Sequence, residues 1–171
     1  MVIDPKSKRY AVLLLVVLTC VNLLNYLDRY IFSALLPAIQ KDLHFSDTQM
    51  GVLGSGFVFA YLLTSPFFGV IGDRLRRFPM MIGGIVVWSV ATAFSGISRT
   101  FSSQLFTRVV VGVGEAGYTV LVPSVLVDVF KPRHRGLVFA IYSGAIPVGA
   151  ALGFVLGGIL ESRVGWSRSF F

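Results

Sequence analysis

The chain has 171 residues, 55% of them hydrophobic and 13% charged, with a formal net charge of +7 and a mean hydropathy of +0.79. A soluble domain carries about 25% charged residues, so this chain could not cover its own surface in water and reads as an integral membrane protein. The basic balance does not point to nucleic acid, because most of the lysines and arginines stand at the ends of apolar runs.

Residues 1–9, MVIDPKSKR, form a basic segment leading into an apolar run with no small-residue cleavage site after it. That run is longer than a signal-peptide core, so a retained helix is expected. A bilayer core about 30 Å thick takes roughly 20 apolar residues per span. The pattern predicts helices over 10–37, 50–71, 80–98, 104–130 and 136–160, with a sixth starting near 168. All belong to one transmembrane bundle, 10–171. Ser46-Asp47-Thr48-Gln49 reads as a capping box opening the second helix, and Ser102 or Ser103 as the cap of the fourth. Pro132 is expected to stop the fourth helix. The lone Cys20 excludes an internal disulfide, and His44 and His134 fall in polar connectors, which argues against a histidine-built metal site. No cofactor is implied.

Alternate connectors differ in charge. Lys6, Lys8, Arg9, Arg74, Arg76, Arg77, Lys131, Arg133 and Arg135 belong to one side, against Lys41, Arg99, Arg163 and Arg168 on the other. The positive-inside rule then places the N-terminus in the cytoplasm. Ala145, Gly149, Gly153 and Gly157 recur every four residues on the fifth helix, and Gly112 and Ala116 on the fourth. Small residues at this spacing let helix backbones approach closely in lipid. Pro147 falls within the fifth helix, where a bend is expected.

Four ionisable residues interrupt the spans: Asp28 and Arg29 on the first helix, Arg108 and Glu115 on the fourth. Counted inward at 1.5 Å per residue, Glu115 lies about 22 Å deep, Asp28 about 26 Å and Arg108 about 33 Å. Each charge near the bilayer centre costs roughly 2.5–3.5 kcal/mol, so four unpaired ones would cost on the order of 10 kcal/mol. They must pair or face water. Adjacent helix positions point about 100° apart, so Asp28 and Arg29 cannot satisfy each other. The expected pairs are Asp28 with Arg108 and Arg29 with Glu115, around a water-filled cavity.

Between the second and third helices runs GVIGDRLRRF, residues 69–78. Gly69 is expected to allow close helix approach. Asp73 and Asp128 sit at helix C-termini, where the macrodipole disfavours a carboxylate. A cluster of Asp73 and Asp128 with Arg74 and Arg77 would resolve both, and would act as a conformational gate.

The stretch Gly69-x-x-x-Asp73-Arg74-x-x-Arg77 resembles the second-to-third-loop motif of the major facilitator superfamily, and Arg108-x-x-x-Gly112-x-Gly114 resembles its fourth-helix motif. GAIPVGAALGFVLGG (144–158) and Gly165-Trp166 fit as well. Arg76 stands where the loop motif commonly has glycine. NYLDR (25–29), GDRLRR (72–77), RVVVGVGEAGYTVLVPS (108–124) and AIPVGAALG (145–153) resemble segments of the spinster family of lysolipid and sphingolipid transporters. The resemblance implies an all-α helical bundle of the major facilitator type. This chain would be its N-terminal five helices and the start of a sixth, of twelve, with a C-terminal helical half completing it.

The function expected on these grounds is secondary active, proton-coupled transport of a lysophospholipid or sphingosine-1-phosphate-like lipid by alternating access. Its setting would be a bacterial inner or cell membrane. The alternative is a proton-coupled symporter of small organic anions. Asp28 and Glu115 are the candidates for proton coupling, and Arg29 and Arg108 for the substrate headgroup. Aromatics such as Phe57, Phe59, Tyr61 and Tyr118 would suit an apolar tail. No nucleophile–base pair or metal cluster suggests an enzyme.

Overall fold

The computed structural model describes residues 8–171. Lys6, counted above with the basic first segment, lies outside the described residues. Six helices follow in chain order: α1 (Lys8–Leu43), α2 (Asp47–Arg74), α3 (Arg77–Ile97), α4 (Phe101–Thr119), α5 (Val122–Val129) and α6 (Pro132–Val164). A single 3-10 turn, Arg168–Phe170, stands where the start of a sixth membrane helix was expected. Five segments are long and apolar enough to cross a membrane, with α4 and α5 together forming one of them. The described residues contain no strand.

The termini show local chemistry at work. Ser46 and Gln49 form the expected reciprocal capping box at α2. At α4 the cap is Thr100, and Ser103 is its partner three residues on. Thr100 takes this position because its hydroxyl accepts from the Ser103 N–H at 3.2 Å.

Several helix boundaries differ from the sequence pattern, three of them for a clear physical reason. Helix α1 continues past Pro37 to Leu43, because Leu35 and Ile39 are fully buried against Trp166 and their packing outweighs the bond lost at proline. The expected continuous helix 104–130 breaks at Val120 and Leu121. Pro123 has no N–H to offer the Thr119 carbonyl, and Leu121 bonds instead to the Tyr118 carbonyl at 3.1 Å. Helix α6 begins earlier than expected, at Pro132, whose fixed φ suits a first turn, and runs unbroken through Pro147.

Two seams of small residues set the helix spacing. A Cβ on Gly149 would stand 2.7 Å from the Leu23 carbonyl oxygen, and one on Gly153 2.6 Å from that of Leu27. On the other side of the bundle, a Cβ on Gly112 would lie 2.6 Å from the Phe57 carbonyl oxygen. Thus α6 is pressed against α1 and α4 against α2, at backbone contact. With Leu27 held against α6, the next two residues of α1 turn toward the other helices.

Candidate functional site

Arg29 and Glu115 meet. The Arg29 guanidinium donates to the Glu115 carboxylate, which is 1% exposed while Arg29 is 29% exposed. Three rings surround the same guanidinium: Phe57 at 4.7 Å, Tyr26 at 4.9 Å and Tyr61 at 5.8 Å. Cation–π attraction holds a guanidinium without claiming its hydrogen-bond donors. The Tyr61 hydroxyl is 2.9 Å from that of Thr119, which in turn donates to the Glu115 carbonyl at 2.8 Å. Aromatic and charged groups are thereby tied into one wall.

Asp28 and Arg108 do not form the second expected pair. Arg108 is buried, donates to the Ser95 hydroxyl at 2.6 Å and lies 3.8 Å over the Phe32 ring. Asp28 turns toward the Trp88 indole instead and stays within electrostatic reach of Arg108 and Glu115. The departure has a steric cause. The glycine seams fix the rotation of α1 and α4, and at that rotation the polar Ser95 is nearer to Arg108 than the carboxylate is.

The two arginines and Glu115 line one cavity of about 250 Å³. The rest of its wall is largely apolar: Phe32, Leu36, Leu53, Phe57 and Val58. Of the expected tail-binding aromatics, Phe57 belongs to this wall and Tyr61 stands beside it. Phe59 does not, being 64% exposed on the outer surface, and Tyr118 is buried in the core, edge-on to Trp88 at 5.5 Å.

Several polar residues of this region escaped the sequence reading. Asn22 donates to the Tyr142 carbonyl at 3.0 Å, and Asn25 lies fully buried beside Glu115. Ser95 also donates to the Thr107 hydroxyl at 2.9 Å, and Gln104 to the carbonyls of Ser95 and Ser98 at 3.0 Å. The missed signal was spacing: Asn22 and Asn25 precede Asp28 by steps of three, along one helix face.

At the basic end of the bundle, Arg77 joins the two carboxylates that the macrodipole argument left without partners. It donates to Asp128, lies 3.7 Å from Asp73, and bonds the Gly72 carbonyl through Nε at 3.3 Å. Arg74 makes no ion pair among the described residues. The closely packed glycine here is Gly72, buried under the Leu121 side chain. Gly69 has only ordinary room, since a Cβ there would sit 3.8 Å from Val120.

With two arginines and a buried carboxylate on α1 and α4 facing one cavity, and the loop arginine tying α3 to α5, the comparison with known families becomes decisive. The Major Facilitator Superfamily model matches residues 18–171. This chain belongs to that superfamily. Its members are transporters rather than enzymes. Protein spinster homolog 1 of Xenopus tropicalis is 36% identical over 161 residues, covering 93% of this chain and 31% of the relative. The Homo sapiens protein of the same name is 37% identical over 155 residues, 90% of this chain and 29% of the relative. The chain therefore spans about a third of the length of these relatives. It is also similar to crystal structures of a bacterial homolog to the human lysosomal transporter spinster, in inward-facing conformations. The occupied form has a TM-score of 0.85 and the unoccupied form 0.83, each at 30% identity. Both alignments cover 96% of this chain, and 38% and 37% of those chains.

Proposed function

We propose that this chain forms the substrate-handling part of a proton-coupled lipid transporter working by alternating access. The substrate would be a lysophospholipid or a sphingosine-1-phosphate-like lipid. The observation that carries the reading is the placement of Arg29. Its guanidinium is ion-paired to a buried carboxylate at the rim of a cavity whose remaining wall is largely apolar. A phosphate headgroup competes with Glu115 for the guanidinium, and the apolar wall takes the first part of the tail. The aromatic rings around Arg29 keep it in place while it changes partner.

The charge balance supplies the coupling. Asp28, Arg29, Arg108 and Glu115 sum to zero. An anionic headgroup that draws Arg29 away leaves Glu115 buried beside no cation of its own, at a cost of several kcal/mol. A proton on Glu115 removes that cost, and one on Asp28 lowers it by taking away the neighbouring negative charge. Proton uptake therefore accompanies substrate loading. Arg108, held by Ser95 and Phe32, is the reserve cation for the headgroup.

In this reading the end bearing Lys8, Arg77 and Lys131 faces the cytoplasm. Arg77, Asp73 and Asp128 form a latch there, and a second helical half beyond this chain completes the transport path. The relatives' inward-facing structures, one occupied and one not, support a cavity that loads and empties. The apolar wall favours a lipid over a small organic anion. Competition in proteoliposomes carrying the full-length transporter tests the choice: lysophospholipids should inhibit uptake of a labelled lysolipid. Inhibition by soluble dicarboxylates alone would overturn it.

A further inference from the structure

A second cavity, of about 660 Å³, opens between the start of α1, the end of α5 and the start of α6. One end of it is basic: Lys8, Lys131, Arg133 and His134, all exposed. Its bed is apolar and runs into the membrane spans along Leu15, Leu137 and Ile141, of which Leu137 is 66% exposed. We propose that this groove binds an anionic phospholipid of the surrounding bilayer, with the phosphate at the basic end and an acyl chain along the bed.

Among the described residues, the charges lining the groove favour an anion. Among the described residues the one acid lining the groove is Asp128, and its carboxylate is already engaged by Arg77. Arg133 donates through Nε to His134 at 2.9 Å, which holds both side chains at the rim. Arg135 is turned away, because it caps the end of α5 by donating to the carbonyls of Phe130 at 3.1 Å and Val127 at 2.9 Å. Helix α6 opens with no side-chain cap and no acid in its first turn. Its N-terminal cations oppose the macrodipole. Helix α3 opens with cations as well, yet there Asp73 and Asp128 answer Arg77. The start of α6 has no such answer within the described residues, and a phosphodiester supplies it.

Two features select a lipid over a soluble anion. The basic end continues without interruption into an apolar furrow, and the site lies at a helix end where a bilayer headgroup layer would be. Basic pockets between membrane helices bind anionic headgroups, with each Lys or Arg contributing about fivefold in affinity. The groove shares no lining residue with the Arg29 cavity, so a lipid held here is distinct from the proposed cargo.

The full-length transporter, held in nanodiscs of equal phosphatidylglycerol and phosphatidylcholine, provides the test. Lipids retained after extraction are quantified by native mass spectrometry. Phosphatidylglycerol should be enriched on the protein, and the double variant Lys131→Gln/Arg133→Gln should lower that enrichment by about thirtyfold. Arg163→Gln, at the opposite end of α6, should leave it unchanged. A photoactivatable residue in place of Ile141 should form an adduct with phosphatidylglycerol. Equal retention of the two lipids, enrichment insensitive to the double variant, or an Ile141 adduct with a protein segment would each overturn the proposal. None of these readouts involves transport, so the outcome is independent of the cargo assignment.

Discussion

Gly84 on α3 and Gly114 on α4 face each other at backbone contact: a Cβ on Gly84 would stand 2.6 Å from the Gly114 carbonyl oxygen, and one on Gly114 2.8 Å from that of Gly84. Neither neighbour is a flexible side chain that could swing aside. This contact sets the distance between α3 and α4, and with it the reach of Arg108 to Ser95. Gly114→Ala should therefore destabilise the protein by about 1–3 kcal/mol, as overpacking does. Gly83→Ala, where nothing lies within 4 Å, should be neutral. Thermal unfolding in detergent of the two variants checks the contrast.

The Arg29–Glu115 pair should show reciprocal rescue. Arg29→Glu alone sets a half-buried carboxylate against the buried Glu115 and leaves the latter without its cation, which should cost about 3–5 kcal/mol. Adding Glu115→Arg restores opposite charges and should recover most of that loss. A double variant no more stable than the single one would mean that the pair is not what holds α1 to α4 here. Thermal unfolding again provides the measurement.

Ser95 should matter to stability through Arg108. Its hydroxyl is fully buried, accepts from the guanidinium and donates to Thr107. Ser95→Ala removes one acceptor from a buried cation, a change worth about 1–3 kcal/mol. Ser95→Thr keeps the hydroxyl and should be milder. Comparing the unfolding temperatures of these two variants separates loss of the acceptor from simple repacking.

The Arg77–Asp128 contact is of a different kind. Asp128 is 65% exposed, so Asp128→Asn should change stability by no more than about 1 kcal/mol. Its effect should fall on conformation: cysteine accessibility at the basic end of the cavity should rise in the variant. High salt should have a similar effect on the parent protein, since exposed pairs are screened.

Asp28 should carry pH dependence rather than affinity. Asp28→Asn keeps the side chain's shape beside Trp88 and removes its titration. Lysolipid binding should persist, while uptake should lose its dependence on an imposed pH gradient. Uptake that still follows the gradient would move the proton to Glu115.

Much of this protein was legible along the chain. Five membrane-length segments followed from hydropathy, which is an average over about 20 residues and needs no knowledge of neighbours. The α2 capping box followed from four consecutive residues. The glycine stripe of α6 followed from a repeat of four, and packs on α1 as that repeat implies. The Arg29–Glu115 pair followed from depth, because rise along a helix is fixed at 1.5 Å per residue.

Partner choice around the helix axis was not legible. Depth and charge made Asp28 the expected partner for Arg108, yet Arg108 lies on Ser95 and Phe32. That choice depends on how far each helix is rotated, and the rotation is set by Gly112 on Phe57, Gly153 on Leu27 and Gly84 on Gly114. The continuation of α1 past Pro37 was hidden for the same reason, since its support comes from Trp166, more than a hundred residues later. Rise and hydropathy are properties of one helix, whereas rotation and close approach arise between helices, where backbone contact leaves a single fit.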